Sequence, residues 1–365
     1  MIEKNLVKFL KKNINFYSGV PDSLLSGISK KLKGKKIKHF IAANEGSAIS
    51  HGIGYFLAKK KIPCIYFQNS GLGNAINPII SIAHKKVYSI PLFLVIGWRG
   101  SPGSNDEPQH MVKGKITLQI LKLLGIKYYL IKKNKDKTNI QNLKNLLNHS
   151  KKFNVPVACV IKKNVLIQSK KNKKIKLQKL QRSFFLESFL KKIKNNTRII
   201  STTGFTSREL YRIRINNNLN QGRDFYMIGG MGHSLSVSLT HSIFSKKKTI
   251  CIDGDGSLLM HLGSTVACGK YSKNFKYILI NNFSHESVGG QNTNSEIVNF
   301  EILSKSVGFK KYLKITDKKE ISKKINSFLN FKGKVFLEVR VGNGSLVNLG
   351  RPKDFINIKK KFISK

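Results

Sequence analysis

The sequence predicts an α/β protein with two doubly wound domains, each built on a mostly parallel β-sheet. Apolar segments of strand length alternate with helix-length segments through both halves of the chain, and parallel strands require such crossover connections. A polar, basic stretch at 168–182 separates the halves and is unsuited to a hydrophobic core. We therefore expect one domain over 1–167, a basic linker over 168–182 and a second domain over 183–365.

The elements of the first half follow from the positions of its apolar runs. A helix is predicted over 1–12, followed by a short strand that leads into 16–21, where Pro21, Asp22 and Ser23 are typical of a helix start. Further apolar runs predict five strands, with helices between them. These strands are 38–42, 64–68, 92–96, 128–131 and 157–161.

The second half repeats the same alternation. It begins with a helix pattern over 183–194, and a second helix is predicted over 258–269. The predicted strands are 198–201, 224–228, 249–252, 277–280 and 335–341. Both halves therefore predict a sheet that is covered by helices on its two faces.

The composition limits the class of protein. Apolar residues make up 40% of the 365 positions, and no window reaches the roughly 18 uninterrupted apolar residues that a membrane helix needs. The first residues also lack the features of a secretory signal. The four cysteines have no CxxC spacing and are predicted to be buried free thiols. We expect a cytoplasmic protein without a membrane partner.

The net charge of +49 would attract polyanions, nucleic acid among them. The lysines are, however, spread through nearly every surface segment and accompany many Asn and Ile residues, as A·T-rich codon usage produces. No arginine-rich helix, zinc-finger spacing or aromatic RNA-binding motif accompanies them. We predict no specific nucleic acid partner. A polyanion-binding protein on an inactive enzyme scaffold is the alternative from a different functional class.

Polar and glycine-rich segments follow the strands, at the edge where doubly wound sheets bind their ligands. The most specific is 253–257, with the sequence DGDGS, which is followed after a helix and a strand by Asn282 and Ser284. A carboxylate, an amide oxygen and a backbone carbonyl suit a hard cation such as Mg²⁺ or Ca²⁺. The glycines let the backbone approach phosphate groups, and the start of the helix supplies positive partial charge. The pattern predicts a divalent cation that holds a diphosphate.

This arrangement, GDGS followed by NN, resembles the signature of thiamine diphosphate-dependent enzymes. The resemblance implies that Asp255, Asn282 and the main chain of Ser284 bind Mg²⁺. It also implies that Glu45 contacts the aminopyrimidine ring and that Met231 supports the bent cofactor. The cofactor-binding residues implied are Glu45, Gly230, Met231, Gly254, Asp255, Gly256, Ser257 and Asn282.

Further motifs, among them GVPDSLL, NEGSA, QNSGLGNAINP, DEPQH and NNFSHESVGGQ, resemble the compact 2-oxo acid decarboxylases of this family, which lack a middle domain. The resemblance implies decarboxylation of 3-phosphonopyruvate to phosphonoacetaldehyde and CO₂, in phosphonate biosynthesis. Sulfopyruvate, or another 2-oxo acid, is the alternative substrate. It also implies a homodimer or a higher homo-oligomer with the active site between subunits. Phe283, Ser284 and Glu286 depart from the expected pattern and affect the predicted shape of the substrate pocket.

The remaining candidate residues concern the substrate. His285 and His110 are candidate proton donors. Arg99 could form a bidentate contact to the substrate anion, whereas Asp22 is expected to position a neighbouring donor. The substrate-binding candidates together are Asp22, Ser23, Asn69, Ser70, Arg99 and Gln291.

Structural roles remain open for three of these residues. Glu45 could be a carboxylate stabilised at a helix N-terminus, Arg99 could belong to a turn or a subunit contact, and Met231 could be a core residue.

Overall fold

The computed structural model describes residues 2–32, 34–35, 37–166, 180–219 and 223–364. The chain divides into two compact units, Met1–Lys171 and Asn172–Lys365, with no middle domain. The predicted linker over 168–182 lies outside the described residues except for its last three, which belong to the second unit. None of the described helices combines the length and the apolar character that a membrane crossing requires.

The first unit contains a six-stranded sheet in which every pairing is parallel. Its strands are β1 (Phe16–Gly19), β2 (Lys38–Ile41), β3 (Cys64–Gln68), β4 (Phe93–Trp98), β5 (Lys127–Leu130) and β6 (Val157–Lys162). Its helices are α1 (Ile2–Asn13), α2 (Ser26–Ser29), α3 (Glu45–Lys59), α4 (Leu72–Pro78), α5 (Pro108–Leu123) and α6 (Asp136–Phe153). The strand order is β2-β1-β3-β4-β6-β5. The central strands β3, β4 and β6 are buried along almost their whole length, which explains their continuous apolar runs.

The second unit contains another six-stranded parallel sheet. Its strands are β7 (Arg198–Ser201), β8 (Asp224–Tyr226), β9 (Thr249–Gly254), β10 (Lys276–Asn281), β11 (Lys311–Ile315) and β12 (Val335–Arg340). Its helices are α7 (Arg182–Leu190), α8 (Phe205–Asn216), α9 (Ser234–Phe244), α10 (Asp255–Met260), α11 (Ser264–Tyr271), α12 (Phe300–Ser306), α13 (Ile321–Asn330) and α14 (Phe355–Ser364). The order β11-β12-β10-β9-β7-β8, counted within the unit from its other edge, repeats the strand order of the first unit. The predicted fold class is confirmed.

The shared order fixes where each unit can bind a ligand. In each sheet the first strand lies between the second and the third. The chain therefore runs from the first strand to one side and then crosses back over it to reach the third strand on the other side. A crevice therefore opens beyond the carboxyl ends of β1 and β3 in the first unit, and of β7 and β9 in the second.

Two sequence-based expectations about elements were wrong. The single helix predicted over 258–269 is two helices, because α10 begins directly at Asp255 and ends at Met260, and α11 begins at Ser264 after a turn that contains Gly263. Strand β11 was not predicted, since its sequence KYLKI carries two lysines and four of its five residues are at least partly exposed at the edge of the sheet. The predicted buried free cysteines are confirmed.

Candidate functional site

In the second unit, most of the residues predicted to bind the cofactor line one cavity at the carboxyl edge of the sheet. Asp255, Asn282 and Ser284 face it from the segments that follow β9 and β10. Met231, His285 and the segment 254–257 line it as well. Of the predicted residues in this unit, Gly230 and Gln291 do not line it. Gly230 lies next to Met231 with a φ of 61°, a left-handed conformation that glycine adopts without strain.

Asp255 is the first residue of α10, and its side chain is 3% exposed. Its Oδ2 accepts hydrogen bonds from Thr293 Oγ1 at 2.5 Å and from Ser295 Oγ at 2.8 Å. Burial raises the pKa of Asp255, while these two hydroxyl groups oppose the rise. A divalent cation at this carboxylate would favour its ionised form.

Asn282 lies directly after β10 with both of its amide hydrogens engaged. Nδ2 donates to Glu286 Oε2 at 3.2 Å and to Asn343 Oδ1 at 3.1 Å. The amide oxygen is therefore the atom that remains for a cation, and the Ser284 N–H donates to it at 3.2 Å. Glu286 and Asn343 consequently set the orientation of this amide.

Glu286 belongs to a buried ionic network that the sequence did not reveal. Arg182 donates to both carboxylate oxygens of Glu209, at 2.8 and 3.1 Å, and pairs with Glu286 Oε2 at 3.4 Å. The three side chains are between 1% and 5% exposed. Arg182 also donates to the Gly344 carbonyl at 3.1 Å. The network joins the start of α7 and the segment after β12 to the residue that orients Asn282.

The two motifs DGDG (253–256) and NN (281–282) each contain one residue with a structural role and one that lines the cavity. Asp253 is fully buried and accepts hydrogen bonds from the Gly254 N–H at 2.9 Å and from Tyr277 Oη at 3.1 Å. Asn281 is also fully buried and donates to Glu338 Oε1 at 2.8 Å. Only the second member of each pair, Asp255 and Asn282, lines the cavity.

His285 lines the same cavity but is 7% exposed. Burial lowers its pKa to about 4, so that its ring is neutral at neutral pH. Its main-chain N–H donates to the Gln291 carbonyl at 2.8 Å. A Cβ atom at Gly256 would lie 2.7 Å from His285 Cε1, so the close approach of α10 to this ring requires glycine. His110, the other candidate donor, lies on α5 in the first unit.

The atoms around this cavity fit a diphosphate held by a hard cation. Ser284 Oγ is buried and has no hydrogen-bond partner among the described residues. A Cβ atom at Gly254 would meet nothing closer than Thr202 Cγ2 at 3.9 Å, so there is open space beside the main chain. Within the described ranges no three His, Cys, Asp or Glu residues cluster as metal ligands. A cation here would take few protein oxygens and complete its shell with phosphate and water, as Mg²⁺ commonly does.

In the first unit, Glu45 begins α3 and is 5% exposed. The side chain of Asn44 caps this helix by accepting the Ser47 N–H at 2.8 Å. Burial raises the pKa of Glu45, whereas a hydrogen bond from Asn74 Nδ2 at 2.8 Å and the charge of Lys113 lower it. Asn74 belongs to the QNSGLGNAINP motif, but its contact with Glu45 was not predicted, and Lys113 was not predicted because a lysine on a helix carries no distinctive sequence signal.

The loop after β3 makes room for Glu45. A Cβ atom at Gly71 would lie 1.9 Å from Glu45 Oε1, closer than any real contact. Gly71 is therefore required by the buried carboxylate, which gives the otherwise unspecific GLG sequence a physical role.

Asp22 follows β1, and it is 1% exposed. Gln68 Nε2 donates to its Oδ1 at 2.5 Å and the Leu25 N–H donates to its Oδ2 at 3.2 Å. Burial raises the pKa of Asp22, whereas these hydrogen bonds lower it by a smaller amount. Gln68 in turn accepts a hydrogen bond from Ser70 Oγ at 2.8 Å, so Asp22 orients a chain of polar groups. Ser23 contributes its carbonyl, which accepts a hydrogen bond from Ser26 Oγ at 3.1 Å.

Arg99 is held by an internal ion pair. Its Nε donates to Asp106 Oδ2 at 2.6 Å, and its Nη2 contacts Asp106 Oδ1. Burial raises the pKa of Asp106, but Arg99 and two main-chain N–H groups outweigh this and hold that pKa well below its usual range. A substrate anion would therefore have to bind through the remaining N–H donors, the two on Nη1 and the second one on Nη2. Asn69 supports the main chain of Arg99, donating to its carbonyl at 3.0 Å and accepting its N–H at 3.0 Å.

Comparison with known proteins gives matches over both units. The model of the thiamine pyrophosphate enzyme N-terminal TPP binding domain matches residues 2–121, and that of the C-terminal TPP binding domain matches residues 202–339. A phosphonopyruvate decarboxylase of Streptomyces viridochromogenes is 30% identical over 356 residues, which cover 92% of this chain and 87% of that protein. One of Streptomyces hygroscopicus is 28% identical over 353 residues, 92% and 86% of the two chains. Sulfopyruvate decarboxylase subunit beta of Methanothermobacter thermautotrophicus is 35% identical over 112 residues, 30% of this chain and 58% of that subunit.

Proposed function

Because the chain belongs to the thiamine pyrophosphate enzyme family, we propose that it is a carboxy-lyase that decarboxylates a 2-oxo acid with bound thiamine diphosphate and Mg²⁺. The observation that carries the proposal is the buried carboxylate of Asp255, which faces the same cavity as Asn282 and Ser284. Relatives that cover nearly the whole chain are named decarboxylases, which supports this reaction.

Each predicted residue then has a definite task. When bound, thiamine diphosphate supplies the electron sink that the loss of CO₂ from a 2-oxo acid needs. Asp255, the amide oxygen of Asn282 and the carbonyl of Ser284 would hold Mg²⁺, and the main chain of 254–257 would receive the diphosphate. Met231 would pack against the cofactor. Burial raises the pKa of Glu45, which would favour a proton held between its carboxyl group and the aminopyrimidine ring of a bound cofactor.

The proposed substrate is 3-phosphonopyruvate, which would give phosphonoacetaldehyde and CO₂ in phosphonate biosynthesis. The names of the two relatives that match 92% of this chain support this choice. Asp22, Ser23, Asn69, Ser70, Arg99 and Gln291 remain the proposed substrate-binding residues. Within this set, the terminal N–H groups of Arg99 that do not contact Asp106 are the donors best suited to an anion, because the Ser70 hydroxyl donates its one proton to Gln68. Sulfopyruvate is the second candidate, because a sulfopyruvate decarboxylase subunit matches part of the chain.

His285 and His110 remain the proposed proton donors. His285 faces the cavity, but its neutral ring is a weaker acid than an imidazolium. If it donates the proton, the pKa of its ring must rise when the substrate's negative charge enters the cavity.

We further propose a cytoplasmic homodimer or higher homo-oligomer with active sites between subunits. One matched relative is a separate subunit that aligns with less than a third of this chain. Part of this architecture therefore exists elsewhere as an individual chain, which supports assembly by association.

The test is release of CO₂ from 3-phosphonopyruvate, sulfopyruvate and pyruvate, each with and without thiamine diphosphate and Mg²⁺. We expect cofactor-dependent turnover of phosphonopyruvate, lost in Glu45→Gln and in Asp255→Asn. Calorimetry should show that Glu45→Gln still folds and binds Mg²⁺, whereas Asp255→Asn does not bind it. Cofactor binding without turnover of any of the three acids would reject the substrate, and absence of cofactor binding would reject the whole proposal.

A further inference from the structure

The second unit has another cavity, at the amino edge of its sheet and therefore opposite the edge that carries Asp255. It is formed by the starts of β9 and β10, the segment after α9 and the turn after α13, and its volume is about 420 Å³. Strand β10 is six residues long, and at about 3.3 Å per residue its two ends are separated by roughly 20 Å. This cavity is therefore separate from the proposed cofactor site.

The lining of this cavity is strongly basic. Five lysines contribute to it and no Asp or Glu does. Elsewhere on the same unit, exposed lysines are paired with glutamates one helical turn away, as in Lys191–Glu187 and Lys305–Glu301. The lysines of the cavity are Lys246, Lys247, Lys248, Lys276 and Lys332. Because the described lining supplies no carboxylate, their mutual repulsion is not compensated by a side chain within the cavity.

Lys276 shows that this is more than an exposed charged surface, because its side chain is only 3% exposed. Its Nζ donates to the Phe331 carbonyl at 2.5 Å and lies 5.7 Å from the ring centroid of Phe328. Burial, together with the charges of Lys248 and Lys311, lowers the pKa of Lys276 to about 8. A buried ammonium beside other ammonium groups is unfavourable unless negative charge approaches it.

Carbonyl groups at the end of α13 account for only part of this cluster. Lys248 Nζ donates to the Leu329 carbonyl at 2.8 Å, as cations commonly do at a helix C-terminus. Lys276 makes the comparable bond to Phe331. Each ammonium has three N–H donors, so these bonds leave capacity at both lysines. The three other lysines of the lining donate no hydrogen bond to a described carbonyl at this helix end.

We propose that this cavity binds a small, multiply phosphorylated anion. Several ammonium groups around one space suit phosphate oxygens. The described lining contains no arginine, the side chain that favours a planar partner with two acceptor oxygens. Phe331 offers no stacking platform to a nucleobase, since Lys276 and Lys311 lie 5.6 and 5.2 Å from its ring centroid. Ser242, Asn274 and Asn330 line the remaining space and can bond hydroxyl groups. A sugar bisphosphate therefore fits better than a nucleotide or a nucleic acid strand.

The probe is fructose 1,6-bisphosphate, titrated by calorimetry into protein saturated with thiamine diphosphate and Mg²⁺, so that the proposed diphosphate site is filled. We expect saturable binding of one molecule per chain that weakens as salt rises. Lys248→Gln, at an exposed position, should lower the affinity at least tenfold, and Lys276→Met should lower it further. Lys323→Gln removes the same charge from an exposed position of α13 outside the cavity and should leave the affinity unchanged.

Three results would overturn this proposal. One is the absence of saturable binding at low salt. Another is an equal loss of affinity in Lys248→Gln and Lys323→Gln, which would indicate that net charge alone attracts the ligand. The third is tighter binding of an oligonucleotide that depends on the same lysines. If Lys276→Met does not fold, the affinity of Lys248→Gln alone tests the proposal, because Lys248 is exposed and its substitution should not disturb the fold. None of these results depends on decarboxylase activity.

Discussion

Replacing Arg182 with Met tests the ionic network beneath the proposed metal site. Methionine keeps much of the side-chain volume but leaves Glu209 and Glu286, which are 1% and 5% exposed, without their cation. Breaking a buried ion pair on one side costs about 3–5 kcal/mol, since the remaining charge stays desolvated. For a unit of this size, each kcal/mol corresponds to roughly 2–4 °C in Tm, so we expect the second unit to melt roughly 6–20 °C lower.

The same substitution should weaken Mg²⁺ binding. Glu286 Oε2 accepts a hydrogen bond from Asn282 Nδ2 and a second one from Arg182 Nη1. Groups that orient a metal ligand typically contribute about 10–100-fold to metal affinity. We therefore expect Arg182→Met to need at least tenfold more Mg²⁺ for half-maximal binding of thiamine diphosphate.

The assay is a Mg²⁺ titration of cofactor binding by calorimetry, run beside urea unfolding of the same samples. Lys191→Met is the matched control, because it removes an exposed i,i+4 pair with Glu187 and should cost less than about 0.5 kcal/mol. If Arg182→Met unfolds within about 1 kcal/mol of the wild type and its Mg²⁺ requirement is unchanged, the network neither stabilises this unit nor orients Asn282.

Two further predictions concern Gly71 and Lys276. Gly71→Ala places a Cβ atom 1.9 Å from Glu45 Oε1. It should reduce kcat/KM about 100-fold in the CO₂ assay, because a displacement of about 1 Å at a reacting group costs that much. As the control, the Cβ atom of Gly73→Ala meets nothing within 4 Å, and this variant should stabilise α4 by about 0.5–1 kcal/mol. The pKa of Lys276 falls from 10.5 to about 8 on folding, so between these values the unfolded chain binds more protons and stability should rise with pH. Urea unfolding at pH 7.5, 9 and 10 should show a rise that is smaller in Lys276→Met, and an identical rise in both proteins would contradict the assignment.

The parts of the site that the sequence predicts are those that topology places at strand ends. Asp255 and Asn282 follow adjacent parallel strands, so knowing that β9 and β10 are parallel is enough to bring them to one edge. Sequence did not identify the groups that hold these two side chains. Thr293 and Ser295 reach Asp255 from a loop about forty residues further along, and Arg182 reaches Glu286 from the start of another helix. Such contacts depend on how loops fold over the sheet, which no local pattern encodes.

The errors have a similar cause. Residues 258–269 have a helical composition, but a turn over 261–263 divides them between two short helices. Strand β11 has a weakly apolar sequence because an edge strand buries only part of its surface. At Arg99 the structure adds a partner that the sequence did not indicate, because Asp106 accepts hydrogen bonds from two of its nitrogens. Local pattern predicts the type of side chain at a site better than it predicts that side chain's partner.

The two sheets share one strand order, yet their equivalent crevices contain different chemistry. In the first, Asp22 after β1 accepts a hydrogen bond from Gln68 at the end of β3, and the Ser70 hydroxyl donates to Gln68, so that the second Nε2 hydrogen of Gln68 remains for another acceptor. In the second, Thr202 and Ser257 meet between β7 and β9 at 3.0 Å, where hydroxyl groups and glycines leave space for phosphate. The strand order therefore determines where each unit can bind, and the residues after each strand determine what it binds. Under the proposed function, one architecture used twice would thus supply an anchoring surface for a diphosphate in one unit and a recognition surface for an anionic 2-oxo acid in the other.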